Sequence, residues 1–89
     1  MAQRTLELVN RLGLHARAAA KFVNVASTFS AQVMVSSDGE EVNGKSILGL
    51  LLLAAPCGTR ISVKAEGSDA EAALDAIEGL IRDRFGEGE

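Results

Sequence analysis

Polar and apolar residues alternate from Arg4 to Asn10, with Leu6 and Leu8 on one side, as expected of a half-buried strand. The period then changes. Ala19, Phe22, Val23 and Ala26 recur at three- and four-residue spacing, which predicts a helix opening at Ala16 with Lys21 and Asn24 on its outer side. Alternation returns in Gln32-Val-Met-Val-Ser-Ser37, and Ser37-Asp-Gly-Glu40 supplies an Asp-Gly hairpin turn into a short antiparallel strand, Glu41-Val-Asn43. A second, short helix follows, opened by Ser46 as N-cap and stopped before Pro56, because a residue preceding proline disfavours helical geometry.

Arg60 to Glu66 alternates once more, with Ile61, Val63 and Ala65 inward. The last helix is expected to open on a capping box, Ser68 with Glu71, and to bury Ala73, Leu74, Ile77, Leu80 and Ile81. Phe85 should pin its final turn to the core, and the closing Gly-Glu-Gly-Glu should fray. The order βαββαβα gives four strands one apolar face to hide and three helices to hide it, an α+β two-layer sandwich whose other sheet face stays wet. With 89 residues and no linker, repeat or low-complexity stretch, residues 1–89 are expected to form a single domain.

Composition narrows the function classes. A net charge of −3 and only three aromatic residues, all Phe, argue against a nucleic-acid binder, which would need a basic face and stacking platforms. One cysteine excludes an internal disulfide, and with one histidine it leaves no metal-ligand cluster. The apolar run Ile47 to Pro56 is far short of the roughly 20 residues of a membrane span. The opening residues lack the apolar core of a signal peptide, so the expectation is a soluble cytoplasmic protein without membrane insertion.

The histidine is oddly placed. Gly13-Leu-His-Ala-Arg17 puts His15 at a helix N-cap, where Ser, Thr, Asp or Asn would be favoured and a weak cap costs about 1 kcal/mol. The backbone N–H groups of Ala16, Arg17 and Ala18 would have no partner inside the helix, and the helix dipole adds about half a positive charge at that end. Such an end attracts anions, and an imidazole set there brings a ring nitrogen that can attack phosphorus. A phosphoryl group on that ring would find the amides as donors and Arg17 as a charged partner. Gly13 permits a tight turn, Leu14 can anchor the loop, and Arg11, Lys21 and Lys45 add positive charge. The bland alternative is a solvated or core-satisfied histidine without chemistry.

The string Gly-Leu-His-Ala-Arg-Ala-Ala-Ala-Lys-Phe-Val, followed about thirty residues on by Gly-Lys-Ser-Ile-Leu-Gly-Leu, closely resembles the HPr family of the bacterial phosphoenolpyruvate-dependent phosphotransferase system. The resemblance runs essentially the whole chain. It implies an open-faced β-sandwich and a phosphocarrier that takes a phosphoryl group from enzyme I and passes it to enzyme II A components. On the matching motif, His15 would be the phosphoryl acceptor, Arg17 its electrostatic partner and Ala16 a backbone donor. No resident cofactor is implied; Mg²⁺ enters only through partner enzymes, and a monomer is expected. Two positions depart from the sugar-transport pattern. Ala18 stands where proline is usual and matches the nitrogen-related branch as well, and Leu12 replaces a small polar residue.

Ser46 has two readings that can hold together: a favoured N-cap, and by resemblance the regulatory serine of an HPr kinase/phosphorylase. A phosphate there, with a charge of about −1.5 to −2, would act as a brake by repelling an acidic partner. The helix after it is apolar on every side, so Ile47, Leu48 and Leu51 should be exposed. With Arg17, Lys21 and Lys45 around them they form a docking surface for acidic, apolar partners. The resemblance places that surface beside the histidine.

Cys57 reads as a small turn residue, and Glu40 and Glu41 point to opposite faces of a strand, which does not make an acid–base pair. Asp69, Glu71 and Asp75 suit the first turns of a helix electrostatically. A stand-alone enzyme fits worst, since there is no second histidine, serine triad or nucleotide-binding glycine loop. The alternative to a carrier is a regulatory interaction module that binds a kinase or transcription regulator through Ser46 and the apolar helix.

Overall fold

The computed structural model describes residues 2–53 and 55–86. Its elements are β1 (Ala2–Glu7), α1 (Ala16–Ala26), β2 (Gln32–Ser37), β3 (Glu40–Asn43), α2 (Ile47–Leu52), β4 (Arg60–Glu66) and α3 (Ala70–Arg82), with a 3-10 turn at Arg84–Gly86. The four strands form one sheet in the order β1-β4-β2-β3, antiparallel at every pairing. Three helices cover one face. This is the expected α+β open-faced sandwich in the expected order βαββαβα.

Register explains which face is covered. Leu6 lies opposite Ile61, Val63 opposite Val35, and Ala65 opposite Val33, so these side chains share one face. Ile61, Val63, Ala65, Val33 and Val35 are fully buried there beneath Phe22 and Ala26 of α1, Leu50 of α2, and Leu74 and Ile77 of α3. The opposite face carries Gln3, Ser62, Lys64 and Glu41, with Gln3 Nε2 donating to Ser62 Oγ at 2.7 Å and Lys64 paired to Glu41 at 3.5 Å. The hairpin between β2 and β3 turns on Asp38 and Gly39, both with positive φ (51° and 82°), the conformation an Asp-Gly pair favours.

The second helix opens at Ser46 and stops before Pro56, at Leu52, as expected. Three local expectations are corrected. The first strand spans Ala2–Glu7 and not Arg4 to Asn10, since the chain turns out of the sheet towards Gly13, whose N–H bonds to the Asn10 carbonyl. The Ser68–Glu71 capping box does not form. Asp69 is the N-cap of α3, and Glu71 turns instead to Arg4 at 3.2 Å. Arg4 sits on the covered face of edge strand β1, where Asp75 at 2.6 Å and Glu78 at 2.9 Å join Glu71, one helix stripe answering one buried-side cation. Hydrogen bonding to Asp75, opposed by burial, holds the Arg4 guanidinium above its ordinary range.

The third correction concerns Lys21, which does not point outward. It is half-buried, and its Nζ donates to the Phe85 carbonyl at 2.5 Å. Phe85 is itself fully buried, as expected, but it and Arg84 both adopt φ 55°, a left-handed conformation that costs about 1–2 kcal/mol for such residues. Burial of the ring and the lysine bond hold that turn in place. Of the closing Gly-Glu-Gly-Glu, residues 87–89 lie outside those described.

Candidate functional site

Two stretches of backbone build the approach to His15. As β1 ends, Leu8 N donates to Thr59 O at 2.9 Å and Gly58 N to Leu8 O at 2.7 Å, so the chain leaves the sheet stitched to the turn after α2. At the far end of the loop Leu14 N donates to Ala55 O, and the Leu14 side chain is buried. Gly13, with φ 66°, lies so close to this turn that a Cβ would stand 2.4 Å from the Ala55 oxygen. No other residue type fits there.

Between those anchors the chain turns tightly. Gly13 N donates to Asn10 O at 3.1 Å, while the buried Asn10 side chain donates from Nδ2 to Gly13 O at 2.7 Å. His15 then takes extended dihedrals (φ −93°, ψ −178°) as the N-cap of α1. The first intrahelical bond is Ala19 N to His15 O at 2.8 Å. The amides of Ala16, Arg17 and Ala18 therefore have no acceptor within the helix, and no side-chain bond caps it. His15 is half-exposed, Ala16 and Arg17 are exposed, and Ala18 is buried. Arg17 makes no hydrogen bond or ion pair among the described residues, so its guanidinium is available to an anion at the helix mouth.

The second predicted position behaves differently. Ser46 is the N-cap of α2, and its Oγ accepts from Gly49 N at 3.1 Å. Beyond it Ile47, Leu48 and Leu51 are exposed, Leu48 by 69%. Leu52 (66%) and, in the histidine loop, Leu12 (63%) extend the apolar surface beyond what sequence indicated. Only Leu50 of this helix is buried, and α2 packs against α1 and β3. The lysines expected around the patch are tethered: Lys45 Nζ donates to Phe29 O at 2.8 Å, just past the end of α1, and Lys21 Nζ to Phe85 O. Both place a cation on carbonyls near a helix C-terminus.

Cys57 is exposed and unpaired with any other cysteine. Among the described residues no group of three or more His, Cys, Asp or Glu side chains could hold a metal ion. No helix is long and apolar enough to cross a membrane. Sequence reasoning missed Asn10 and the backbone of Ala55 and Pro56, which fix the loop. The Asn-x-x-Gly spacing was a visible signal for a turn, but the carbonyl anchor could be seen only once the chain was folded.

An open-faced sandwich with one half-exposed histidine set at the donor-rich mouth of its first long helix defines a class of small single-histidine domains. Residues 2–83 match the family described as the PTS HPr component phosphorylation site. The phosphocarrier protein HPr of Cupriavidus necator is 46% identical over 89 residues, covering 100% of both chains. Among solved structures, HPr-C-His from Thermoanaerobacter tengcongensis superposes with a TM-score of 0.94 at 46% identity, covering 98% of each chain. An HPr dimer from the same organism gives 0.79 over 98% of this chain and 100% of that one, also at 46% identity. The chain belongs to the HPr phosphocarrier family of the phosphotransferase system.

Proposed function

We propose that His15 accepts a phosphoryl group from phosphorylated enzyme I and passes it to an enzyme II A component, the chain being a covalent carrier without turnover of its own. One observation carries the reading: an imidazole occupies the N-cap of an eleven-residue helix without capping it. In the forward step a ring nitrogen lone pair forms the N–P bond as the bond from phosphorus to the donor breaks and its electron pair returns to the donor. The other ring nitrogen keeps its proton, and onward transfer reverses the sequence. The phosphoryl oxygens would accept from the amides of Ala16, Arg17 and Ala18, a helix-end interaction of about 0.3–2 kcal/mol. Arg17 would add a charge-assisted bond of about 1.5–3 kcal/mol. Their sum moderates a labile phosphoramidate without freezing it.

Exposed Ile47, Leu48 and Leu51 serve as the docking surface in this reading, with Lys21 and Lys45 contributing fixed positive charge. A phosphate on Ser46, written by an HPr kinase/phosphorylase, would place negative charge at the head of that surface and slow transfer. The step needs no resident cofactor, and Mg²⁺ acts through enzyme I. One chain suffices for it, and sedimentation at working concentration is the check on a monomer. Incubation with enzyme I, phosphoenolpyruvate and Mg²⁺ tests the whole proposal. The expected result is an acid-labile phosphate on the native chain and none on His15→Ala; an unlabelled native chain, or equal labelling of the variant, overturns it.

A further inference from the structure

Asn10 is the one polar side chain that is fully buried among the described residues. Burying an amide is costly unless its hydrogen bonds are made, and the Nδ2 bond it makes is to the Gly13 carbonyl at 2.7 Å. That same carbonyl accepts from His15 N at 3.1 Å. Gly13 N closes the turn by returning to Asn10 O. Asn10 thus grips, from inside the protein, the oxygen from which the backbone of His15 hangs.

We infer that Asn10 is a positioning residue for phosphoryl transfer, holding the His15 ring at the helix mouth so that a bound phosphoryl group meets the amides of Ala16, Arg17 and Ala18. The inference rests on the phosphoryl-acceptor reading of His15. Two clamps define the loop, and they differ in direction. Gly13 and Leu14 lock its outer edge to Ala55 through backbone alone, which fixes where the loop sits. The Asn10 amide holds the other end of the same Gly13–Leu14 peptide, its oxygen, and with it the point from which the next residue but one starts. Loss of that donor leaves the peptide held at its N–H alone, by the Ala55 carbonyl, so the Gly13 oxygen and the His15 amide bonded to it tilt while the loop stays attached.

The consequence for chemistry has a sign. Phosphoryl groups leave through a loose, metaphosphate-like transition state in which negative charge on the transferred oxygens falls. Amide donors on those oxygens therefore favour the phosphorylated ground state over the transition state for hydrolysis. A ring displaced from the amides should lose its phosphate to water sooner.

The test measures spontaneous hydrolysis of the phosphorylated protein at constant pH, well below the melting temperature, together with the ¹H–¹⁵N signals of the unphosphorylated forms. Asn10→Ala removes the donor; Asn10→Asp keeps the shape but sets a carboxylate against the Gly13 oxygen. Val63→Ala, in the core at β4 and remote from the loop, is the control for lost stability. Hydrolysis about fivefold faster in both Asn10 variants, with Val63→Ala at the native rate and the His15 amide signal displaced only in the former, is the expected result. Native rates in the Asn10 variants, or equal acceleration by Val63→Ala, overturn the inference. A native chain that takes up no phosphate defeats the acceptor reading instead; the His15 amide signal then decides the positioning claim alone, and an unmoved signal in both variants overturns it.

Discussion

The starts of α1 and α2 are two solutions to one problem. Every helix opens with backbone N–H groups that its own turns cannot satisfy. At α2 the chain answers with serine, whose Oγ takes the Gly49 amide, so the short helix is closed by its own N-cap. At α1 it places histidine, and no side-chain bond closes the mouth. Stability is forgone at one end and secured at the other. In the function proposed above, the amides left open at α1 are the ones that a phosphoryl group on His15 would meet.

The largest effect should come from exchanging the two solutions. His15→Asp puts a preferred cap on α1, so chemical denaturation should show a gain of about 1 kcal/mol while phosphoryl acceptance disappears. A variant that loses both stability and acceptance would break the contrast. A smaller effect is expected of Ser46→Ala, which removes the cap on α2 and should cost about 1 kcal/mol in the same assay with phosphorylation of His15 by enzyme I retained. Loss of acceptance in that variant would mean that the two helix starts are not independent.

Asp69, at the start of α3, sharpens the comparison by a third arrangement. Its carboxylate leaves its own helix and accepts from Ser30 N and Ala31 N, each at 2.8 Å, tying the loop after α1 to α3. The Ser30 bond first, then that from Ala31, holds this carboxyl below its ordinary range, against the opposing pull of burial. A carboxyl depressed in the folded state contributes stability above its unfolded value, near pH 4, and loses it as pH falls through the folded value. Asp69→Asn should be less stable than the native chain at neutral pH, and the gap should close on acidification. Thermal melts across that range check the sign; a gap that widens in acid contradicts it.

Much of this architecture was legible because the period of the apolar residues is strict. The bounds of β2 and β4 coincide with the alternating runs, and of the spaced residues of α1 Ala19, Phe22 and Ala26 are buried, joined by Ala18, while Val23 is only half-buried. The histidine could be placed at a helix start because the same period opens that helix at Ala16. What stayed hidden depends on partners far along the chain. Glu71 looked like half of a capping box until Arg4, on a distant strand, was seen to claim it. Lys21 looked like a surface residue because nothing local predicts that residue 85 brings a carbonyl to it. Likewise nothing local shows that the Ala55 carbonyl accepts from Leu14.

The most direct measurement is a ¹H–¹⁵N spectrum of the chain before and after phosphorylation. Downfield displacement concentrated on the amides of Ala16, Arg17 and Ala18 is predicted, with Gly49 and its neighbours in α2 nearly still. Unmoved amides at 16–18 in a phosphorylated chain, or displacements centred on Gly49, would contradict the claim that the open start of α1 receives the phosphoryl group.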